Sequence, residues 1–346
     1  LPWREAPDPY GVWISEIMLQ QTRVEAVKPY FERWMKAFPE LSSLAAAAEE
    51  EVLKLWEGLG YYSRARNIHK TAKIMMKEYG GKFPSSVKEL RSLPGIGDYT
   101  AGAIGSIAFH LPVPCVDGNV MRVMARLTAL KEDIASAAVK RLLTERIGKI
   151  IPEDRPGDFN QALMELGAMI CLPNGLPKCI ACPVSFLCEA YRQNRIAEFP
   201  VKSGKPSRKV EERTVLVLIK NNEVALRKRP ETGLLANLWE FPNFPGIISE
   251  EEIRRILCSM DLNPVSLTRL EDTKHVFTHI EWKMSGYLAA VEEKKAPEAC
   301  ANIAEATVPY PAEAGFQWID AGLLRDRLTI PAAFKRYYRC ALEAIN

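Results

Sequence analysis

Cys171, Cys179, Cys182 and Cys188 stand within eighteen residues of one another in a chain of 346 that holds eight cysteines in all. So dense a cluster is either a metal site or a disulfide knot, and both close a loop into a fixed unit. A chain of this length buries enough apolar surface to hold a core without covalent staples. No secretory leader with an apolar stretch and a small-residue cleavage site is expected at its start, so export to an oxidising compartment is not expected either. In a reducing compartment clustered thiols bind metal or do redox chemistry. The four cysteines are therefore the expected metal ligands.

The length predicts two domains. A hydrophobic content of 47% and a charged content of 26% are those of a globular protein, and no apolar run is long enough for a membrane helix. The net charge of +3 neither demands nor excludes nucleic acid, because the distribution of charge on the surface decides that. Leu1 is not an initiating methionine, so residues before it are expected.

From residue 11 to about 190 the apolar positions recur at three and four, as in Trp13, Ile17 and then Val27, Phe31, Trp34. Breaks at Phe38-Pro39, Gly58-Leu59-Gly60, Gly80-Gly81 and Leu93-Pro94-Gly95 cut this region into helices. Residues 196–213 are polar and basic and read as a linker. From Thr214 the chain turns β-branched, with a hairpin over 214–227 turning at Asn221-Asn222. A further strand pattern surrounds 275–280 and continues to Tyr287. Helical stretches at 250–258 and 331–345 complete an α+β second domain.

Leu93-Pro94-Gly95-Ile96-Gly97-Asp98-Tyr99-Thr100 is a glycine hairpin opening onto a helix. Gly95 and Gly97 permit positive φ and close approach, and the free amides at the helix start make an anion site. This is a helix-hairpin-helix pattern, a sequence-independent grip on a DNA phosphate. A plain helix-to-helix turn is the alternative, and the downstream cysteines favour DNA. The cysteine spacing, C-x7-C-x2-C-x5-C, suits tetrahedral zinc or a cubane iron–sulfur cluster. The wide-narrow-middle order after a helical stretch at 160–169 favours iron–sulfur.

Hairpin and cysteines together resemble the endonuclease III superfamily of DNA glycosylases. Within it, Trp13–Arg23 (WISEIMLQQTR), Gly58–Arg64 (GLGYYSR) and Val116–Arg122 (VDGNVMR) resemble the MutY branch. The resemblance covers nearly the whole chain. It implies a multi-domain protein: a mostly α glycosylase core over 1–195, the linker 196–213, and an α+β Nudix-like domain over 214–346. Within the core it implies a six-helix part at 11–110 carrying the hairpin, and a cluster-bearing part formed by 1–10 and 111–195. It implies a [4Fe-4S] cluster on the four cysteines, although the first gap is seven residues where the family usually has six. The substrate implied is double-stranded DNA holding adenine opposite 8-oxoguanine. The implied setting is the bacterial cytoplasm and nucleoid, with the protein monomeric and away from membranes.

Breaking an N-glycosidic bond requires a better leaving group and a stabilised sugar cation, and two carboxylates in different protonation states supply both. Glu16 lies amid Trp13, Ile14, Ile17 and Met18, where burial would keep it protonated; it is the candidate general acid. Asp117 precedes a helix start that favours its ionised form; it is the candidate partner of the sugar cation. An exposed helix glutamate and an N-cap aspartate are the plain alternatives, and the motif match selects the catalytic roles. Lyase members of the superfamily carry a lysine where this chain has Tyr99, and a phenol cannot form a Schiff base. A glycosylase without strand-nicking ability is therefore expected. By the same resemblance Tyr99 lies beside both carboxylates and Asn119 orients Asp117 or water.

The resemblance assigns Gln21, Leu59 and Tyr61 to the wedge that fills the stack after base flipping, with Thr22 beside them on the DNA, and Leu59 is expected at an exposed loop tip. It assigns Trp3 and Arg4 to the adenine pocket. Arg64, Arg66, His69 and Lys70 form either a phosphate-facing stripe or a solvated helix face. In the second domain Gly233–Pro242 resembles a Nudix fold, but Glu250, Glu251 and Glu252 lack the spacing that holds magnesium, so pyrophosphatase activity is not expected. Phe277, Thr278 and His279 match the family's Phe-Ser-His loop that contacts 8-oxoguanine. Two other functions fit less well. One is a glycosylase-lyase for damaged pyrimidines, disfavoured by Tyr99 and the second domain. The other is a DNA-binding scaffold without catalysis, disfavoured by the presence of both Glu16 and Asp117.

Overall fold

Helix signals in the first half are strong and local. Asp8 caps the first helix, its Oδ1 accepting the amides of Tyr10 (2.9 Å) and Gly11 (3.1 Å), and Pro9 fills the first helical position. The computed structural model describes residues 1–5, 7–204, 207–293 and 315–345. Packing divides the chain into two units, Leu1–Ala47 with Arg64–Lys205, and Ala48–Ser63 with Pro206–Asn346.

The first unit is helical. It contains α1 (Pro9–Leu19), α2 (Val24–Ala37) and α3 (Leu41–Ala46), then α5 (Ser63–Glu78), α6 (Val87–Ser92), α7 (Asp98–Ala108), α8 (Gly118–Leu127), α9 (Ala137–Gly148), α10 (Pro156–Glu165) and the short α11 (Glu189–Arg192). Every residue of α1 from Tyr10 to Met18 is buried, so it is a central helix rather than an amphipathic one. Each large apolar side chain it buries is worth about 1.5–3 kcal/mol. By contrast α2 buries one stripe, Val27, Phe31 and Trp34. Beneath α8 and α9, Val120, Met124, Leu143 and Ile147 form a second core. α10 runs on through a π turn, Leu166–Ile170, into Cys171.

The second unit holds α4 (Glu49–Trp56), α12 (Glu250–Ser259), α13 (Ala321–Asp326) and α14 (Lys335–Ile345), with a seven-stranded sheet among the described residues. Its strands are β1 (Lys209–Lys220), β2 (Glu223–Lys228), β3 (Trp239–Glu240), β4 (Asn243–Pro245), β5 (Leu262–Val276), β6 (Ile280–Glu293) and β7 (Gln317–Ile319). The main path runs β3-β2-β1-β6-β5, with β1 and β6 parallel. The expected hairpin is present: Asn221 and Asn222 take φ of 51° and 61° and join β1 to β2 as a tight turn needs. β1 begins at Lys209, ahead of Thr214 and inside the expected linker, because its first residues pair with the start of β6, Lys209 with Ile280.

One expectation is corrected. The pattern around 275–280 does not continue as a single strand: it is two antiparallel strands, β5 and β6, joined by Phe277-Thr278-His279. The amide of Phe277 donates to the carbonyl of Ile280 at 2.8 Å and closes this turn. The turn contains no Gly, Pro, Asn or Asp, so no usual turn former marks it.

Candidate active site

Within the first unit Glu16 is 7% exposed on α1, and the phenol of Tyr99, at the start of α7, donates to its Oε2 at 2.6 Å. The same hydroxyl lies 3.2 Å from Sδ of Met164. Burial raises the Glu16 pKa above the ordinary carboxyl value. The Tyr99 hydrogen bond and the positive charge of Arg4 pull it down, while the negative charge of Asp117 pushes it up. The net direction is upward, so this carboxyl keeps its proton to a higher pH than a solvated glutamate does. Tyr99 is also raised, by burial first and then by Glu16, so it stays a neutral donor.

Asp117 is the N-cap of α8. Its Oδ1 accepts the Val120 amide at 2.7 Å, and its Oδ2 accepts from Nδ2 of Asn119 at 2.7 Å. Asn119 is itself held by Arg122, whose guanidinium donates to Asn119 Oδ1 (3.0 Å), the Gly167 carbonyl (2.8 Å) and the Cys171 carbonyl (2.7 Å). Contact with the π turn is close: a Cβ on Gly167 would lie 2.6 Å from Cβ of Asn119. The strand-like approach to Asp117 is fixed by Asn160, fully buried on α10, which bonds the Cys115 amide, the Val113 carbonyl and the Ser106 hydroxyl.

The sequence alone does not mark Arg122, Asn160 or Met164. Arg122 closes one quoted motif and Asn160 opens the helical stretch before the cysteines, but only the fold reveals what they hold.

The hairpin uses the two glycines differently: Gly97 has an ordinary φ of -90° and open space at its Cβ position, and only Gly95 needs to be glycine. Gly95 has a φ of 76°, and a Cβ there would come within 2.7 Å of Cβ of Asn67 on α5. Gly97 is the N-cap of α7, its carbonyl accepting the Ala101 amide. A salt bridge between Arg91 and Asp98 spans the two helices at 2.7 Å.

Trp3 is in the core, edge-on to Phe31 with centroids 5.2 Å apart. Arg4 forms an ion pair with Glu165 and lines a cavity of about 440 Å³ with His110, Asp154, Gln161 and Glu165. Gln21 is exposed with a φ of 58°, and Thr22 beside it donates to the Gln20 carbonyl at 3.4 Å. Leu59, expected at an exposed tip, is 8% exposed: its amide folds back to the Trp56 carbonyl and its side chain turns inward. Tyr61 is 48% exposed, with its hydroxyl 3.2 Å from Oγ1 of Thr278 inside the second unit. Thr278 and His279 are exposed at the hairpin tip, while Phe277 packs between His275 (4.6 Å) and Trp282 (4.9 Å).

The stripe on α5 does not face outward as a unit. Arg64 is buried and donates to the carbonyls of Ile17, Met18 and Gln20, and His69 is buried against the Ala47 carbonyl. Both donate to backbone carbonyls at or near helix ends.

Cys171, Cys179, Cys182 and Cys188 line one cavity, walled by Val123, Leu127 and Ile170 among others. Burial, and then the neighbouring Cys171, Cys188 and Cys182, raises the Cys179 thiol. Among the described residues no three His, Cys, Asp or Glu side chains converge on a single ion. A cubane does not ask for that, since each thiolate meets a different iron. Arg126, buried on α8, donates to Cys171 Sγ at 3.3 Å and to the carbonyls of Leu172 and Phe199 at 2.9 Å. Four thiols around one cavity are a donor set of the chemistry that an iron–sulfur cluster takes.

Among the described residues no helix is long and apolar enough to cross a membrane. Residues 14–149 match the HhH-GPD superfamily base excision DNA repair protein family, and residues 214–339 match the NUDIX domain family. An adenine DNA glycosylase of Mus musculus is 37% identical over 357 residues, covering 86% of this chain and 69% of its own. One from Buchnera aphidicola subsp. Baizongia pistaciae is 39% identical over 284 residues, covering 81% and 78%. A solved thermostable thymine-DNA glycosylase aligns with 56% of this chain and 88% of its own at 30% identity, with a TM-score of 0.49. With a helical HhH-GPD core, an α+β NUDIX domain and relatives of one name along most of its length, the chain belongs to the adenine DNA glycosylase family of base excision repair enzymes.

Proposed function

We propose that this enzyme hydrolyses the N-glycosidic bond of adenine standing opposite 8-oxoguanine, or opposite guanine, in duplex DNA, and that it does so without cutting the strand. The observation that carries the reading is the Glu16–Tyr99 pair: a buried carboxyl accepting at 2.6 Å from a neutral phenol, its proton affinity raised by burial and by the nearby Asp117. Glu16 delivers its proton to N7 of the extruded adenine, making it a neutral leaving group. Asp117, aligned by Asn119 and the α8 amide, faces the oxocarbenium-like sugar. Tyr99 stands where the lyases of the superfamily carry a lysine and offers no amine, so no Schiff base forms. Gly95 and Gly97 present the α7 amides to a phosphate. Arg4, through its cavity, takes the adenine side; Gln21, Thr22, Leu59, Tyr61, Phe277, Thr278 and His279 take the side of the oxidised guanine.

Cys171, Cys179, Cys182 and Cys188 would hold a [4Fe-4S] cluster, which when bound supplies a fixed fold for the loop they span. A broad absorbance near 400 nm separates it from zinc, which has no such colour.

The test is single-turnover adenine release from duplexes pairing adenine with 8-oxoguanine or with guanine, with Glu16→Gln and borohydride trapping alongside. The parent releases adenine with no trapped adduct, and Glu16→Gln loses about 10²–10⁴ in rate while still binding DNA. Tight binding with no release by the parent overturns the catalytic reading in favour of a scaffold. Efficient trapping overturns it in favour of a lyase.

A further inference from the structure

The second unit includes a helix from far upstream, α4, and the turn that leaves it. Two side chains at the end of this helix hold one short segment of the NUDIX region. Nζ of Lys54 donates to the Leu328 carbonyl at 2.9 Å, and Oε1 of Glu57 accepts the Ile330 amide at 3.0 Å. The two side chains are joined by a salt bridge of 2.8 Å through the other Glu57 oxygen. Together they grip residues 328 and 330 as an adjacent strand would, one taking a carbonyl and one an amide. The gripped segment is rigid: Leu328, Thr329 and Ile330 are all buried, and the Thr329 carbonyl accepts the Trp239 amide at 3.3 Å. Further along α4, Glu50 pairs with Lys228 (2.9 Å) and Glu49 accepts from Asn237 (3.2 Å).

Directly after this clip the chain enters a turn held by a few local bonds, the Leu59 amide to the Trp56 carbonyl and the Trp56 indole to the Gly60 carbonyl at 3.0 Å. Gly58, Gly60 and Tyr61 have φ of 98°, 71° and 48°, so three residues of four occupy left-handed backbone, and for Tyr61 that conformation is unfavourable. Such a turn persists only where its surroundings over-determine it. Its one exposed large side chain, Tyr61, meets Thr278 of the β5–β6 hairpin.

We infer that Lys54 and Glu57 are positioning residues for base-pair discrimination: by clamping Leu328–Ile330 they fix the Gly58–Tyr61 turn against the hairpin that carries Thr278. This rests on the proposed function for its consequence, namely that the turn and the hairpin read the base opposite adenine. The clamp itself is a matter of structure alone.

The full-length enzyme is assayed as parent, Glu57→Ala, Lys54→Met and Glu57→Gln. Single-turnover adenine release is measured opposite 8-oxoguanine and opposite guanine, and amide hydrogen exchange is followed across residues 57–63. In Glu57→Ala and Lys54→Met the ratio of the two rates falls about tenfold, as expected of a reading group displaced by a fraction of an ångström. In the same variants exchange across the turn speeds up about tenfold or more. Glu57→Gln keeps the acceptor for Ile330 and stays within about threefold of the parent. The inference is overturned if the turn's exchange is unchanged in both disruptive variants, or if both rates fall together with their ratio intact. Should Glu57→Ala fail to fold, Lys54→Met, which removes a single carbonyl contact and its ion pair, decides. A parent that shows no preference between the two duplexes refutes the proposed reading of the lesion, and the exchange data alone then decide whether the clamp exists.

Discussion

Tyr99 reaches Glu16 from the first turn of a neighbouring helix and donates to it at 2.6 Å, and this bond opposes the effect of burial on the carboxyl. Burial favours the neutral acid, whereas the phenol stabilises the anion, so the two set the proton affinity between them. In Tyr99→Phe the downward pull is gone and the Glu16 pKa rises further. The alkaline limb of the pH–rate profile then moves to higher pH, measured as kcat/KM for adenine release. The maximal rate falls by less than the loss of Glu16 itself, about tenfold, because a donor is removed while the acid remains.

Glu16 also bears on stability. Its folded-state pKa is raised, so it favours folding below the ordinary glutamate value, and that contribution is lost as pH climbs through the raised value. Above it, the fold carries a buried anion. Glu16→Gln removes that cost while leaving an oxygen for Tyr99 to bond. The variant is expected to melt about 2–4 °C higher than the parent at pH 8, a gain of roughly 1 kcal/mol, with a smaller gain at pH 5. Equal melting points at both pH values would contradict it.

Arg122 is buried with three acceptors on it, two of them carbonyls in the π turn and at the first cysteine. Arg122→Met leaves those carbonyls and Asn119 without their donor. A loss of about 3 kcal/mol or more in denaturant unfolding is expected, together with slower base release. Arg122→Lys restores one donor at most and recovers only part of the loss.

Gly95 combines a left-handed φ with a Cβ position 2.7 Å from the Asn67 side chain. Gly95→Ala therefore costs about 1–3 kcal/mol and tilts the hairpin. DNA affinity is expected to fall for matched and mismatched duplexes alike in a binding titration, since a phosphate grip carries no sequence information. Loss confined to the mismatch would refute that role.

The parts legible in the sequence are those whose signal is local. A carboxylate amid apolar residues on one helix, a glycine hairpin and an Asn-Asn turn all arise from neighbours in the chain. The parts that are not legible depend on distant partners. Leu59 between two glycines suggests exposure, yet the amide of that residue bonds back to Trp56 and the side chain is covered. Arg64 and His69 look like a basic stripe, but each finds backbone carbonyls elsewhere in the fold. The Phe277–His279 turn shows only as a slip in the alternation, Val276-Phe277 then Thr278-His279, because none of its residues is a turn former. Trp3, which resemblance puts at the adenine pocket, packs its ring edge-on to Phe31, a partner 28 residues on.

The amide that steadies Asp117 leans on a residue with no side chain at all, since Gly167 meets Asn119 at a distance no Cβ could tolerate. Every missense change of a glycine codon introduces at least one carbon. Among inherited variants, then, position 167 has no silent-in-effect replacement. Its damage would show as impaired repair with every recognised catalytic residue intact.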